Sequence, residues 1–281
     1  MNSTNTLSVA VAQSLVIPGD IHGNLARMEP LIMQAARQGA RLVLFSECAL
    51  NGYDHQGIGA ASAIAADDPV IKRLRTLATT THQALVVGFY ERVQQQIFNS
   101  AAIALPDGRL LVQRKHLVTP IEIRTGHVQS GARERIIFEV GGFHFAILIC
   151  ADVGIVGIHE QLSSTGCDAI LAPTAGLGSD DHAFFQAQLQ NEHKLAEYLR
   201  AAESVCFISP ATFLKYDMAL ICCNQMGYSQ QHRFFHCGHS AIIDRTGETT
   251  ALIPGRFVVE HLRPQLALGF ISSRSVTSNA M

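Results

Sequence analysis

The chain has 281 residues, 48% hydrophobic and only 16% charged, well under the ~25% usual for soluble proteins, so a large core can be buried and disorder is excluded as the main state. Twenty-one Lys and Arg against 23 Asp and Glu leave a formal charge of −2 with no basic stripe. That withholds electrostatic support from nucleic acid or an anionic membrane and favours a small, nearly neutral partner. Mean hydropathy is +0.18, yet polar residues interrupt every apolar run short of the ~18 residues that a membrane span needs, so a soluble protein is expected.

Taken in chain order, an apolar strand over Leu7–Ala12 is followed by the break Pro18-Gly19 and a helix over Leu25–Gln38, whose apolar residues recur at three-and-four spacing. Asn24 is the expected cap of this helix and Gly39 its stop. A strand over Arg41–Phe45, a helix over Val70–His82 and strands at Leu85–Glu91 and Phe98–Ala104 come next. Pro106-Asp107-Gly108 turns the chain into a strand at Leu110–Val112, which implies antiparallel pairing. His144–Ile149 and Ala169–Ala172 are apolar strands, and helical composition dominates His182–Ser204. Later strands are expected at Ala219–Cys223, Ser240–Ile243 and Phe257–Leu262.

Length alone leaves one large domain or two small ones open. No repeat or Pro/Gly/Ser-rich linker divides the chain, so a single domain over 1–281 is expected, with polar tails at about 1–6 and 272–281. Strands mixed with helices throughout predict an α/β fold with both crossovers and hairpins. The start of the chain, Met1–Ser8, lacks a signal-peptide pattern, which makes the cytoplasm the default location. Seven cysteines, an odd number widely spaced at 48, 150, 167, 206, 222, 223 and 237, are unlike a secreted disulfide framework and leave at least one thiol free.

Three polar residues stand where apolar strands end, the place from which side chains of α/β folds reach a cleft. They are Glu47 after Leu42–Ser46, Lys115 after Leu110–Arg114, and Cys150 after Phe145–Ile149. Together they suit a thiol nucleophile: the carboxylate takes the thiol proton and the ammonium stabilises the negative charge that develops on the attacked substrate. Singly, each has a plainer reading, the cysteine as core and the two charges as solvated strand ends.

The wording around them carries more. Leu42-Val43-Leu44-Phe45-Ser46-Glu47 with Leu50-Asn51-Gly52-Tyr53 resembles the first block of the nitrilase superfamily, the carbon-nitrogen hydrolases, with Ser46 in place of the common proline. Arg114-Lys115-His116-Leu117 with Pro120-Ile121-Glu122 is similar to the block of the family's lysine, and Ile149-Cys150-Ala151-Asp152 to that of its cysteine. Flanks extend the likeness: Gly19-Asp20-Ile21 with Asn24-Leu25, Ala40-Arg41-Leu42, Asn224-Gln225-Met226-Gly227, and His236 through Asp244 with Gly247.

The resemblance implies a four-layer αββα sandwich of two mixed β-sheets flanked by helices, with Glu47, Lys115 and Cys150 as catalytic triad. It also implies a small-molecule amide substrate, no metal, no cofactor, and assembly into a homodimer or larger oligomer. Glu122 looks like the family's second glutamate. Tyr53, Ala151, Asp152 and Thr174 are the expected substrate-binding residues, with the backbone N–H of Ala151 on the oxyanion. The residues after Cys150, Ala151-Asp152-Val153-Gly154-Ile155, depart from the common pattern and carry no nearby arginine, which weakens a carbamoyl-amino-acid substrate; the C-W-E wording of true nitrilases is absent too. An amidase-like activity follows, with N-carbamoyl or nitrile hydrolysis, or a ligand-binding member of low activity, as alternatives. The stretch from His182 to Met218 is longer than the family's usual link, and Arg200-Ala201-Ala202-Glu203 within it either resembles the family's R-A-x-E helix or belongs to an insertion between about 180 and 218.

Two metal readings compete. Gly19-Asp20-Ile21-His22-Gly23-Asn24 copies the opening motif of metallophosphoesterases, but the later motifs of that class are missing, and a loop with a helix cap explains it. His232, His236, Cys237 and His239 have the donors for zinc, but alternation along a strand points them to opposite faces.

Overall fold

The computed structural model describes residues 5–176, 178–179, 210–229, 234–255 and 262–274. The first half of the chain runs β1 (Thr6–Gln13), α1 (Ile21–Arg37), β2 (Leu42–Leu44), α2 (Ile58–Ala61), α3 (Pro69–Thr81), β3 (Ala84–Val93), β4 (Gln96–Ala104), β5 (Leu110–Arg114), α4 (Pro120–Gly126) and β6 (Val128–Gln129). The second half runs β7 (Ile137–Val140), β8 (Phe143–Ile147), a 3-10 turn (Cys150–Gly154), α5 (Ile158–Ser164), β9 (Ala169–Thr174), β10 (Gly178–Ser179), α6 (Pro210–Lys215), β11 (Ala219–Asn224), β12 (Met226–Ser229), β13 (Phe234–Cys237), β14 (Ser240–Ile243), β15 (Thr249–Ile253) and β16 (Gln265–Ser272).

The strands form two mixed sheets. One has the order β16-β1-β2-β3-β4-β5, with β6 alongside β4; the other has the order β15-β14-β11-β9-β8-β7. Within each the central neighbours are parallel, β1-β2-β3 in the first and β11-β9-β8 in the second, and antiparallel strands extend both sides. A three-stranded sheet, β10-β13-β12, stands apart.

Residue alternation explains the layering, because successive side chains of a strand point to opposite faces. Val9, Val11, Leu42, Leu44 and Val86 of the first sheet meet Phe145, Ile147, Leu171 and Ile221 of the second in one core between the sheets. The residues in between, Ala10, Val43, Leu85 and Val87, face outward onto Leu25, Met28 and Ile32 of α1 and Ile71 and Leu74 of α3. Ala146, Leu148, Ile170 and Leu220 do the same toward Ile158 and Leu162 of α5 and Phe213 of α6. The four layers are therefore helix, sheet, sheet, helix, and strands buried on both faces read as unbroken apolar runs.

Helix starts follow capping chemistry. Asp68 accepts from Val70 N at 2.8 Å with Pro69 at the first helical position of α3. The expected cap of α1 is corrected: Asp20 caps it, accepting from Gly23 N at 3.2 Å, and Asn24 lies inside the first turn. Asn24 is fully buried and spends its amide on Ile17 N, Ile17 O and Leu50 O at 2.8–2.9 Å, tying the loop beyond Glu47 to the helix. Asp20 also pairs with Arg27 at 2.8 Å.

The strand β16, which the sequence reading did not recover, pairs antiparallel with all eight residues of β1. The helical stretch His182–Ser204, the Arg200–Glu203 segment, most of Phe257–Leu262 and His232 lie outside the described residues. Among the described residues no helix is long and apolar enough to cross a membrane, and no group of three His, Cys, Asp or Glu is placed to hold a metal ion.

Candidate active site

Glu47, Lys115 and Cys150 converge at one end of the sandwich. Beyond β2 the parallel ladder continues through Phe45 N to Val86 O at 2.9 Å and Gly88 N to Ser46 O at 3.2 Å, then the chain turns away at Glu47. Gly88 makes that turn possible, since a Cβ there would lie 2.4 Å from both Cys48 N and Ser46 O. Glu47 N donates to Thr174 O at 3.3 Å, so the end of β9 in the second sheet anchors the acid carried by the first.

Lys115, placed by its N–H on Asn99 O at 2.8 Å, bridges two carboxylates. Its Nζ lies 2.7 Å from Glu47 Oε1 and 2.9 Å from Glu122 Oε2, and all three side chains are buried. Glu122 owes its direction to α4, whose start is a reciprocal capping box: Thr119 Oγ1 accepts from Glu122 N, and Glu122 Oε2 accepts from Thr119 N at 2.7 Å. Asn99 on β4 completes the ring, its Nδ2 donating to Glu47 Oε1 at 2.8 Å and Glu122 Oε1 at 2.6 Å. Asn99 has no motif to mark it in the sequence; its one signal is a lone amide inside the apolar strand Ile97–Ala104.

Cys150 opens the short turn after β8 with φ at +48°, a conformation that costs a non-glycine residue and aims its side chain off the strand axis. It is partly exposed, whereas Cys48, Cys167, Cys222 and Cys223 are buried; all five are free thiols. Burial of the sulfur, followed by the Glu47 carboxylate, pushes its proton affinity up against the pull of Lys115, so the thiol rests protonated. Burial raises the Glu47 carboxyl above the ordinary range, with Lys115 and Asn99 opposing it. For Lys115 burial works against the charge, but the negative groups around it, Glu47 first, outweigh this and raise it well above the ordinary lysine value. Glu47 Oε2 is buried and accepts no hydrogen bond from the residues that load Oε1.

The expected substrate-binding residues are distributed differently. Ala151 is half-buried at the head of the 3-10 turn, where N–H groups have no partner inside the turn. The Tyr53 ring lies 5.7 Å from Lys115 Nζ, its hydroxyl is 3.0 Å from Thr119 Oγ1, and the Gln225 side chain holds its backbone N and O at 3.0 and 2.9 Å. Two placements are corrections. The Thr174 hydroxyl is buried and bonded to Asn224 Oδ1 at 3.1 Å, so this residue serves the site through its carbonyl on Glu47.

Asp152 is fully buried and accepts from His116 N, Leu117 N and Arg135 Nη1 at 2.7–3.2 Å. A carboxylate with these donors faces the Lys115 loop and not a substrate. Arg135, which reads as surface in its charged stretch Arg133-Glu134-Arg135, also donates to Arg114 O at 3.3 Å, so the pair grips the chain on both sides of Lys115.

Comparisons with known proteins identify the family. Residues 8–258 match the family model described as carbon-nitrogen hydrolase. The "hydrolase in pqqF 5′ region" of Pseudomonas protegens is 28% identical over 257 residues, covering 90% of this chain and 80% of that protein. The deaminated glutathione amidase of Synechocystis sp. is 26% identical over 255 residues, 85% of each chain. Among solved structures, a mutant amidase from Nesterenkonia sp. that carries the acetamide moiety of fluoroacetamide on its active-site cysteine superposes with a TM-score of 0.72 at 21% identity, over 95% of this chain and 90% of that one. The chain belongs to the carbon-nitrogen hydrolase family and is a hydrolase of the nitrilase superfamily.

Proposed function

We propose that the protein hydrolyses the C–N bond of a small amide through an acyl-enzyme on Cys150. The observation that carries this reading is the division of labour on Glu47: Oε1 is loaded by Lys115 and Asn99, and Oε2 is left open as the oxygen for the Cys150 proton. Glu47 takes that proton as Sγ attacks the carbonyl carbon. Lys115 and the Ala151 N–H stabilise the oxyanion of the tetrahedral adduct. Collapse breaks the C–N bond, Glu47 hands the proton to the departing ammonia or amine, and a thioester remains. Water then gives a proton to Glu47 and attacks the thioester; the thiol is restored and the carboxylic acid leaves.

The Nesterenkonia neighbour, whose active-site cysteine carries the acetamide moiety of fluoroacetamide, supports a cysteine as the nucleophile. A panel of short amides, carbamoyl compounds and nitriles, with ammonia as the readout, tests it alongside Cys150→Ala. Turnover of the amides that is lost in Cys150→Ala is the expected result. Turnover surviving that substitution sinks the mechanism, a preference for carbamoyl or nitrile compounds replaces the substrate class, and silence throughout favours a ligand-binding member. Assembly into a homodimer or larger oligomer belongs to the same proposal, and light scattering that gives a monomer refutes it.

A further inference from the structure

The amide of Asn99 is fully buried between the two acids of the site. We propose that Asn99 is a positioning residue that decides which of the two buried carboxylates is free to act as base. The proposal rests on the reading of Glu47 as the base given above.

An amide NH2 has two hydrogens, and those of Asn99 are both spent, one on Glu47 Oε1 and one on Glu122 Oε1. The orientation is fixed from the other side, because Asn99 Oδ1 accepts from the Cys48 thiol at 3.5 Å. The consequences for the two acids differ. Glu122 has Asn99 on Oε1 and both Lys115 Nζ and Thr119 N on Oε2, so both of its oxygens carry a donor. Glu47 has both of its donors on Oε1, which leaves Oε2 as the open oxygen. Lys115 alone does not produce this asymmetry, since it gives one bond to each acid. The bond from Asn99 also favours the ionised form of Glu47 against the burial that opposes it. Without it the carboxyl holds its proton to higher pH, and Lys115 alone is left to hold Oε1.

The test uses the full chain with its best amide. Asn99→Leu, of the same branched shape and without a donor, is expected to lower kcat by roughly 10–100-fold, the worth of a hydrogen bond to a charged group, with KM moving by less than about threefold. The acid limb of the kcat/KM profile moves to higher pH. Asn99→Ser keeps one hydroxyl donor and recovers part of both effects, and it carries the test if the leucine variant is insoluble. If a folded variant is too slow to assay, the pH dependence of Cys150 alkylation by iodoacetamide reads the same carboxylate without substrate. An unmoved acid limb in a folded variant overturns the role of Asn99 even where the rate falls, because a merely structural residue lowers the rate without moving the limb. Glu47→Gln separates the two claims. If it stays active, the reading of Glu47 as base fails and this inference with it; if it is dead while the Asn99→Leu limb is unmoved, only the inference fails.

Discussion

The ion pair of Asp152 and Arg135 ties the turn that carries Cys150 to the chain on both sides of Lys115. Asp152 sits two residues from Cys150, and its partners His116 N and Leu117 N follow Lys115 directly, while Arg135 reaches Arg114 O just before it. Both side chains are buried, with exposures of 1% and 0%. Burial shifts each toward its neutral form, the Asp152 carboxyl upward and the Arg135 guanidinium downward, with the attraction between them opposing it. Such a pair contributes little net stability, but removing one member strands the other charge in the interior, at about 3–5 kcal/mol.

Asp152→Asn keeps the volume and leaves an Oδ1 for the two backbone donors, so its loss isolates the charge and is expected in that range. At roughly 2–4 °C per kcal/mol for a chain of this size, the melting temperature falls by about 6–20 °C. Arg135→Met should cost a similar amount, and the double variant clearly less than the two singles together, because each removes the penalty that the other creates. Thermal unfolding by circular dichroism across the four proteins reads this directly. Singles that lose under about 1 kcal/mol, or a strictly additive double, refute the reasoning.

Three further outcomes are expected. Cys150 reacts with iodoacetamide ahead of Cys48, Cys167, Cys222 and Cys223, because those four are buried, and peptide mass spectrometry showing one of them leading counts against an accessible nucleophile. The base must be ionised to work and burial raises the Glu47 carboxyl, so activity falls with decreasing pH through a limb above the ~4.3 of a free glutamate side chain; a limb at or below that value contradicts the buried-base reading. Gly88→Ala puts a Cβ 2.4 Å from the backbone at Ser46 and Cys48, so the Glu47 turn must shift, with a loss of about 1–3 kcal/mol and at least about tenfold in kcat; unchanged values for both show that the turn yields freely.

What the sequence disclosed follows from which forces are local. Glu47, Lys115 and Cys150 are marked only weakly by their place after apolar strands; the resemblance of the blocks around them to the nitrilase superfamily is what singles them out. The four layers were an implication of that same resemblance, while the elements by themselves pointed only to an α/β fold with crossovers and hairpins. Asn24 was mistaken for the cap because Asn and Asp are both good caps, and the choice of Asp20 depends on where Ile17 and Leu50 need an amide. Asn99 and Arg135 take their meaning from residues 52 and 17 positions away, and a charge in a charged stretch carries no mark of being buried. The strand β16 was missed because its pairing with β1 joins opposite ends of the chain and most of its residues are only half-buried, so no clean alternation announces it.

Glu47 and Lys115 ride on one sheet and Cys150 on the other, so the site is complete on neither sheet alone. Turnover is therefore a gauge of how the two sheets are docked. On gentle heating or in dilute denaturant, any loosening of the core between them should silence the enzyme while strands and helices still persist, and during refolding activity should return last, after the backbone signal has already recovered.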